Sequence, residues 1–270
     1  MSVSHESFCM KVFITGASSG IGEALAHAYA KRYQNINAIL GLAARRSEHL
    51  QTLQKTLESH YQISCEIYPL DVRDHSALAI AAQDFMQKYG TPDVVIANAG
   101  VSSGTLTEKQ QDIAAFQAVM EINVLGLVHT FQPFINAMRD AGKGQLVGIA
   151  SVAGIRGLPG AGAYSASKAA AIAYLESLRV EMSHYNIAVT TIAPGYIRTP
   201  MTDINTYTMP FLMDADVAAH KFVNAIENKR RFVVIPWQMG WVARLMRFIP
   251  PVLWDWAMKK APHKPRIEVE

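Results

Sequence analysis

Tyr164 and Lys168 stand four residues apart in Tyr164-Ser165-Ala166-Ser167-Lys168, inside an apolar, alanine-rich run that reaches about Leu178. At that spacing on a helix two side chains share one face. An ammonium held beside a buried or half-buried phenol favours the phenolate. The pair can therefore lower a tyrosine pKa from about 10 toward the working pH and make it a proton donor and acceptor. Thirteen residues before Tyr164, Ser151 follows the strand-like run 145–150, QLVGIA. A hydroxyl at the carboxyl end of a strand is where open α/β sheets keep their chemistry. Alone, a tyrosine and lysine at this spacing are more often a surface pair, and a serine after a strand is more often a cap or turn residue. The elements around them decide.

Residues 11–15, KVFIT, form a strand candidate that runs directly into Gly16-Ala17-Ser18-Ser19-Gly20-Ile21-Gly22. A helix pattern follows over about 21–33, with Ala24, Leu25, Ala28 and Tyr29 as its inward side. In a strand-turn-helix context, closely spaced glycines let the backbone approach a pyrophosphate at a helix N-terminus, where free amides and the dipole favour negative charge. A second strand candidate, 38–44, ends at Arg45 and Arg46. In a dinucleotide fold this position lies beside the adenosine ribose. A carboxylate there accepts from a free 2'-hydroxyl, whereas two arginines and no carboxylate suit a 2'-phosphate. Helix 48–60, strand 65–70 and helix 75–89 follow, and Asp71 and Val72, just past the third strand, are placed to contact adenine.

The fourth strand, from Val94, runs into the small-residue turn Asn98-Ala99-Gly100. A long helical pattern over about 108–138 carries Asn123 in apolar company, so its amide is expected to be hydrogen bonded, either as a structural plug or as part of a site. A glycine- and proline-punctuated loop, 154–162, leads to the Tyr164 helix, and a sixth strand, 187–192, ends before Ala193-Pro194-Gly195. Residues 196–213 lack periodicity and leave the carboxyl end of a strand, which marks a candidate lid. Helix 214–227 and a seventh strand, 232–235, complete the pattern. This alternation predicts an α/β fold: one doubly wound, mostly parallel Rossmann-type sheet with helices on both faces, a single domain over 1–270.

The chain has 270 residues, half of them hydrophobic, which suits one large core. A net charge of +3 is too small to argue for nucleic acid, and the basic residues lie among large apolar ones with no recognisable nucleic-acid module. Cys9 and Cys65 offer no disulfide framework, and neither has the neighbours of a metal site. The start shows no basic region followed by an apolar core, and no uninterrupted apolar run reaches the roughly 18 residues of a membrane span. The expected location is cytoplasmic.

Taken together, Thr15 to Gly22, Asn98-Ala99-Gly100, Asn123, Ser151, Tyr164 with Lys168, and Pro194-Gly195 followed by Thr199 resemble the short-chain dehydrogenase/reductase family, over about residues 11–235. The resemblance implies NADP(H)-dependent interconversion of a carbonyl and an alcohol. Tyr164 would be the proton donor, with Lys168 holding the nicotinamide ribose and lowering the tyrosine pKa. Ser151 would orient the substrate oxygen, and Asn123 would place a water in the proton relay. Cofactor contacts are implied at Gly16, Ser18, Ser19, Gly20, Ile21 and Gly22, at Asn98, Ala99 and Gly100, and at Tyr164 and Lys168. Pro194, Gly195 and Ile197 would also touch it, with Thr199 near its carboxamide. Arg45 and Arg46 look like those of NADP-preferring members. Ala97 departs from the asparagine of many members and is expected to support the sheet rather than the chemistry. A homodimer or homotetramer is also implied.

The C-terminal extension, 236–270, holds all four tryptophans, and from residue 221 onward ten Lys and Arg stand against four Asp and Glu. Aromatic residues interleaved with Arg244, Arg247, Lys259 and Lys260 describe an amphipathic element that could rest on an anionic membrane. The preferred alternative, from the family's use of this end, is that Trp241, Leu245 and Phe248 cover the substrate pocket or a subunit contact. On that account Trp237, Trp241, Trp254 and Trp256, with Met209, Phe211, Leu212 and Met213, predict a bulky apolar substrate.

Overall fold

The computed structural model describes residues 9–266, so most of the N-terminal stretch read above against a secretory signal, and residues 267–270 of the extension, lie outside the described residues. In chain order, β1 (Met10–Thr15) leads to α1 (Gly20–Tyr33), β2 (Ala38–Ala44) to α2 (Ser47–Tyr61) and β3 (Ser64–Pro69) to α3 (His75–Tyr89). β4 (Val94–Ala97) leads to a long helical stretch made of α4 (Asp112–Met120), a π turn (Glu121–Leu125) and α5 (Gly126–Ala141). β5 (Gly144–Ile149), a 3-10 turn (Val152–Gly154), α6 (Gly162–Ser183) and β6 (Ile187–Pro194) follow. Two short strands, β7 (Ile197–Arg198) and β8 (Met213–Asp214), pair around α7 (Pro200–Asp203). The chain then forms α8 (Ala215–Glu227), β9 (Phe232–Ile235), α9 (Trp237–Phe248) and α10 (Pro251–Met258).

Seven strands make one sheet in the order β3-β2-β1-β4-β5-β6-β9, every neighbouring pair parallel. The chain winds outward from β1 to β3, then crosses back to lay β4 on the other side of β1. The carboxyl ends of β1 and β4 therefore part at a switch point, the crevice where such sheets bind ligands. Because helices cover both faces, the central strands are largely apolar and buried rather than alternating. Val12, Phe13 and Ile14 are all fully buried. Val12 and Ile14 join the core under α1, α2 and α8, while Phe13 points to the other side, under α3, α5 and α6. There its ring packs 4.9 Å from Phe134, 5.5 Å from Tyr68 and 5.7 Å from Phe85, centre to centre.

The helix read over 108–138 differs in two ways. It begins only at Asp112, because the Asp112 carboxylate accepts from the Leu106 amide at 2.8 Å and holds the preceding residues in turns. It is also interrupted by the π turn around Asn123. The stretch Asp112–Ala141 is long and apolar enough to cross a membrane by length and composition alone. Within the fold, Leu127, Phe131, Phe134 and Met138 from this stretch are buried in the core.

The expectation that the tryptophans of the extension cover a pocket needs correction. Helix α9 seats through Met239 and Ala243, which are buried. Trp237, Trp241, Leu245 and Phe248 recur at spacings of four and three, so they share another face, and all four are exposed, as are Trp256 and Phe211. Trp254 alone among the tryptophans is held from within. The Arg156 guanidinium lies 4.7 Å from its ring centre and donates to the Met246 and Ile249 carbonyls at 2.6 and 2.7 Å.

Candidate active site

The first wall is the turn between β1 and α1. Gly16 and Gly20 have φ of +68° and +58°, left-handed conformations that favour glycine. Space is equally restrictive: a Cβ on Gly16 would meet Ala99 Cα at 2.7 Å, and one on Gly22 would meet the Gly16 carbonyl oxygen at 2.2 Å. The Asn98 amide nitrogen locks this turn to the end of β4 by donating to the Thr15 and Gly16 carbonyls, both at 3.1 Å. Ala97, just before it, is buried in the core beneath the sheet. Ser19 precedes α1 without capping it through its side chain, so the first helical amides have no side-chain acceptor there.

The second wall is the end of β2. The Arg46 guanidinium donates to the Ser18 hydroxyl at 3.0 Å and the Ser19 hydroxyl at 2.6 Å, forming a cluster of donors beside the glycine turn. Arg45 points elsewhere, toward the Asp71 carboxylate at 3.9 Å. Burial would raise the Asp71 pKa, but hydrogen bonds from Arg73 outweigh it and hold the carboxyl below its ordinary value.

The third wall carries Ser151, Tyr164 and Lys168. Tyr164 lies in the first turn of α6 and Lys168 one turn later. The Lys168 ammonium donates to the Ile149 carbonyl, the last of β5, at 2.9 Å and lies 5.9 Å from the Tyr164 ring centre. Burial holds the Lys168 pKa down at about 8. For Tyr164 the shift runs opposite to the sequence expectation. Burial pushes its pKa up, and the opposing influence is a hydrogen bond with Ser151 rather than the charge of Lys168. Ser151 also starts the 3-10 turn, its hydroxyl accepting from the Ala153 amide at 3.1 Å, so it is both a cap and a site residue.

Asn123 answers the alternative left open by sequence. Its amide accepts from the Val101 N–H at 2.8 Å, donates to the Val101 carbonyl at 2.9 Å and donates to the Ser167 hydroxyl at 2.9 Å. Ser167 in turn donates to the Tyr164 carbonyl at 2.8 Å. The side chain clamps the loop after β4 to α6, and the π turn is where the helix widens to aim it. Its amide faces these protein groups rather than the open cleft.

Gly16, Ser18, Ser19, Gly20, Ile21, Arg45, Arg46, Asp71, Val72, Asn98, Ala99, Gly100, Ser151, Tyr164, Lys168, Pro194, Gly195, Ile197 and Thr199 line one open cleft at the carboxyl edge of the sheet. Gly22 and Asn123 are not among the lining residues: Gly22 packs on the Gly16 carbonyl, and Asn123 bonds Val101 and Ser167. Thr199 leans over the glycine turn, 3.2 Å from where a Gly20 Cβ would stand. Val101 and Ile122 line the cleft without having carried a sequence signal, and Pro200, Met201 and Thr202 line it from the candidate lid. Two further side chains reach Tyr164 from distant segments. Burial, with Tyr196 and Tyr164 nearby, pushes the Tyr207 phenol up to about 12. The Lys264 ammonium lies 5.1 Å from the Tyr164 ring centre, closer than Lys168.

Comparison with known proteins agrees with this geometry. Residues 10–208 match the family model for short chain dehydrogenase. The chain is 34% identical over 247 residues to an uncharacterized oxidoreductase of Myxococcus xanthus, covering 92% of this chain and 95% of that protein. A short-chain dehydrogenase from Sphingobium yanoikuyae, solved in complex with NADPH, superposes with a TM-score of 0.75 at 25% identity, over 90% of this chain and 97% of that one. A short chain dehydrogenase/reductase from Burkholderia phymatum, solved with NAD, reaches a TM-score of 0.80 at 21% identity, over 98% and 99% of the two chains, a likeness of fold alone.

The residues present fit NADP(H). Glycines leave backbone space at the N-terminus of α1, Arg46 with two serine hydroxyls gathers donors at the end of β2, and no carboxylate stands in that position. With a parallel sheet switching between β1 and β4, this turn at the switch point, and the Ser151, Tyr164 and Lys168 cluster opposite it, the chain belongs to the short-chain dehydrogenase/reductase family.

Proposed function

We propose that the chain is an NADP(H)-dependent oxidoreductase that interconverts a carbonyl and a primary or secondary alcohol. The observation that carries this reading is the meeting of the Tyr164 and Ser151 hydroxyls in the same cleft as the Arg46, Ser18 and Ser19 donors. The chemistry supplied by NADPH, when bound, is a hydride for the carbonyl carbon. Negative charge then develops on the carbonyl oxygen, and the two hydroxyls are placed to meet it. Tyr164 transfers its proton to that oxygen, while Ser151 hydrogen bonds to it and sets its direction. In the alcohol-oxidising direction the phenol oxygen takes the proton back. Lys168, whose ammonium lies 5.9 Å from the Tyr164 ring centre, would hold the nicotinamide ribose. Asn123 acts at one remove, keeping α6 and the loop after β4 in register.

Residues 196–213 serve as the lid in this reading, with Tyr196 and Tyr207, whose rings lie 6.4 Å apart, receiving an apolar substrate body. The test is turnover of NADPH and NADH by the purified protein against aldehydes and ketones graded in size and hydrophobicity. Selective NADPH oxidation that rises with apolar size is the expected result. Absence of turnover with every carbonyl and alcohol would favour a silent NADP-binding scaffold instead.

We also propose that the outward face of α9 and α10 rests on an anionic lipid surface, in a protein otherwise cytoplasmic. The exposed Trp241, Leu245, Phe248 and Trp256 supply apolar contact, and Arg244, Arg247, Lys259 and Lys260 supply charge. A second copy on the same face would bring like charges together. Flotation with phosphatidylserine-containing vesicles, weakened by salt and by Trp241→Ala with Phe248→Ala, is expected. Equal recovery with neutral and anionic vesicles would reject the electrostatic part, and no flotation would reject the whole.

A further inference from the structure

After α10 the chain turns back toward Tyr164 and seats against Gly104, Gly160 and Asp112. The Gly104 amide donates to the Pro265 carbonyl at 2.8 Å. A Cβ on Gly104 would meet the Lys264 carbonyl oxygen at 2.1 Å, and one on Gly160 would meet His263 Cβ at 2.6 Å, so side chains at either position would displace the segment. Arg266 closes the seat by pairing with Asp112, a carboxylate whose other oxygen accepts from the Leu106 amide. Between these anchors Lys264 is carried to Tyr164, its ammonium 5.1 Å from the ring centre.

Its surroundings are unusual for a cation. Among the described residues Lys264 has no carboxylate partner and no side-chain hydrogen bond, and its only electrostatic contact is the Tyr164 ring. Among the described residues no carboxylate acts on Tyr164 either, and the other ammonium near that ring is that of Lys168. Burial lowers the Lys264 pKa to about 8, so much of it remains charged at neutral pH. A half-buried, unpaired ammonium is unfavourable until an anion joins it, and a charge-assisted hydrogen bond there is strong. Asp112 is paired with Arg266 and the Leu106 amide rather than with Lys264.

We propose that Lys264 is a specificity-determining residue that recognises a carboxylate on the substrate, so the favoured substrates are oxo-acids and the corresponding hydroxy-acids with an apolar body. The carbonyl carbon lies at Tyr164 and Ser151, and the carboxylate meets Lys264. This deepens the carbonyl-alcohol reading and rests on it for the reacting end of the substrate.

The test separates the two. Binding of 4-phenylbutanoate and of 4-phenylbutanamide, neither of which is reducible, is measured by calorimetry on the protein saturated with NADP. The acid is expected to bind about tenfold or more tightly than the amide. Lys264→Met brings the two affinities together, while Lys264→Arg keeps them apart. In parallel, kcat/KM is compared for 4-oxo-4-phenylbutanoate and 5-oxo-5-phenylpentanoate against their methyl esters, and the acid-to-ester ratio is expected to collapse in Lys264→Met. Equal binding of acid and amide, or an acid preference that survives Lys264→Met, overturns the assignment of Lys264. A Lys264-dependent acid preference in binding without reduction of any acid or ester leaves that assignment standing and overturns the carbonyl-alcohol reading.

Discussion

Tyr164→Phe is expected to lower kcat/KM for carbonyl reduction by about a hundredfold to ten-thousandfold, the range associated with loss of a positioned general acid. Phenylalanine keeps the ring that packs in the first turn of α6 and that Lys168 and Lys264 approach at 5.9 and 5.1 Å. It removes only the hydroxyl and its hydrogen bond with Ser151. Ser151 retains its contact with the Ala153 amide, so the end of β5 keeps its shape. NADPH affinity, followed by fluorescence titration, should therefore change by about twofold or less, because the donors at the glycine turn and at Arg46 lie on other walls. A variant within about fivefold of wild-type turnover would remove Tyr164 as the proton donor. The half-buried phenol also keeps its proton at neutral pH, since desolvation raises its pKa, so reduction does not lose its acid there. Oxidation, which needs the phenolate, should gain as pH rises.

The second large effect is expected at Arg46. Arg46→Ala should reduce the NADPH-to-NADH ratio of kcat/KM by about tenfold to a hundredfold, the range of a charge-assisted hydrogen bond, and should act mainly through the KM for NADPH. Arg46 is the residue that gathers the Ser18 and Ser19 hydroxyls, so its loss removes a charge and loosens two further donors. Arg45→Ala should have the smaller effect, because that guanidinium points toward Asp71. Both arginines are exposed, so the preference should weaken with added salt. Steady-state kinetics with both cofactors at two ionic strengths reads all of this. A ratio unchanged in Arg46→Ala would remove the 2'-phosphate assignment, and a larger loss in Arg45→Ala would move it to the neighbouring residue.

What sequence determined was whatever depends on short spacings. The glycine turn after β1 is legible because left-handed backbone and close approach leave few residue types for Gly16, Gly20 and Gly22. The strands and helices are legible because a sheet covered on both faces needs apolar runs separated by amphipathic ones, and most boundaries fall within a residue or two of the pattern. Tyr164 and Lys168 are legible because helical geometry puts residues four apart on one face, and Ser151 because it follows directly on a strand-like run. Tertiary structure decided the rest. Which of two adjacent arginines turns to the serines depends on side-chain directions at a strand end, which composition does not contain. Asn123 could be a plug or a site residue until the fold brought Val101 and Ser167 to it. The tryptophans looked like a pocket cover until α9 seated through Met239 and Ala243 and turned most of them outward. Lys264 meets Tyr164 across 100 residues of chain, through a seat made by Gly104, Gly160 and Asp112. No local periodicity encodes such a contact, because it arises only where separately folded segments close over one another.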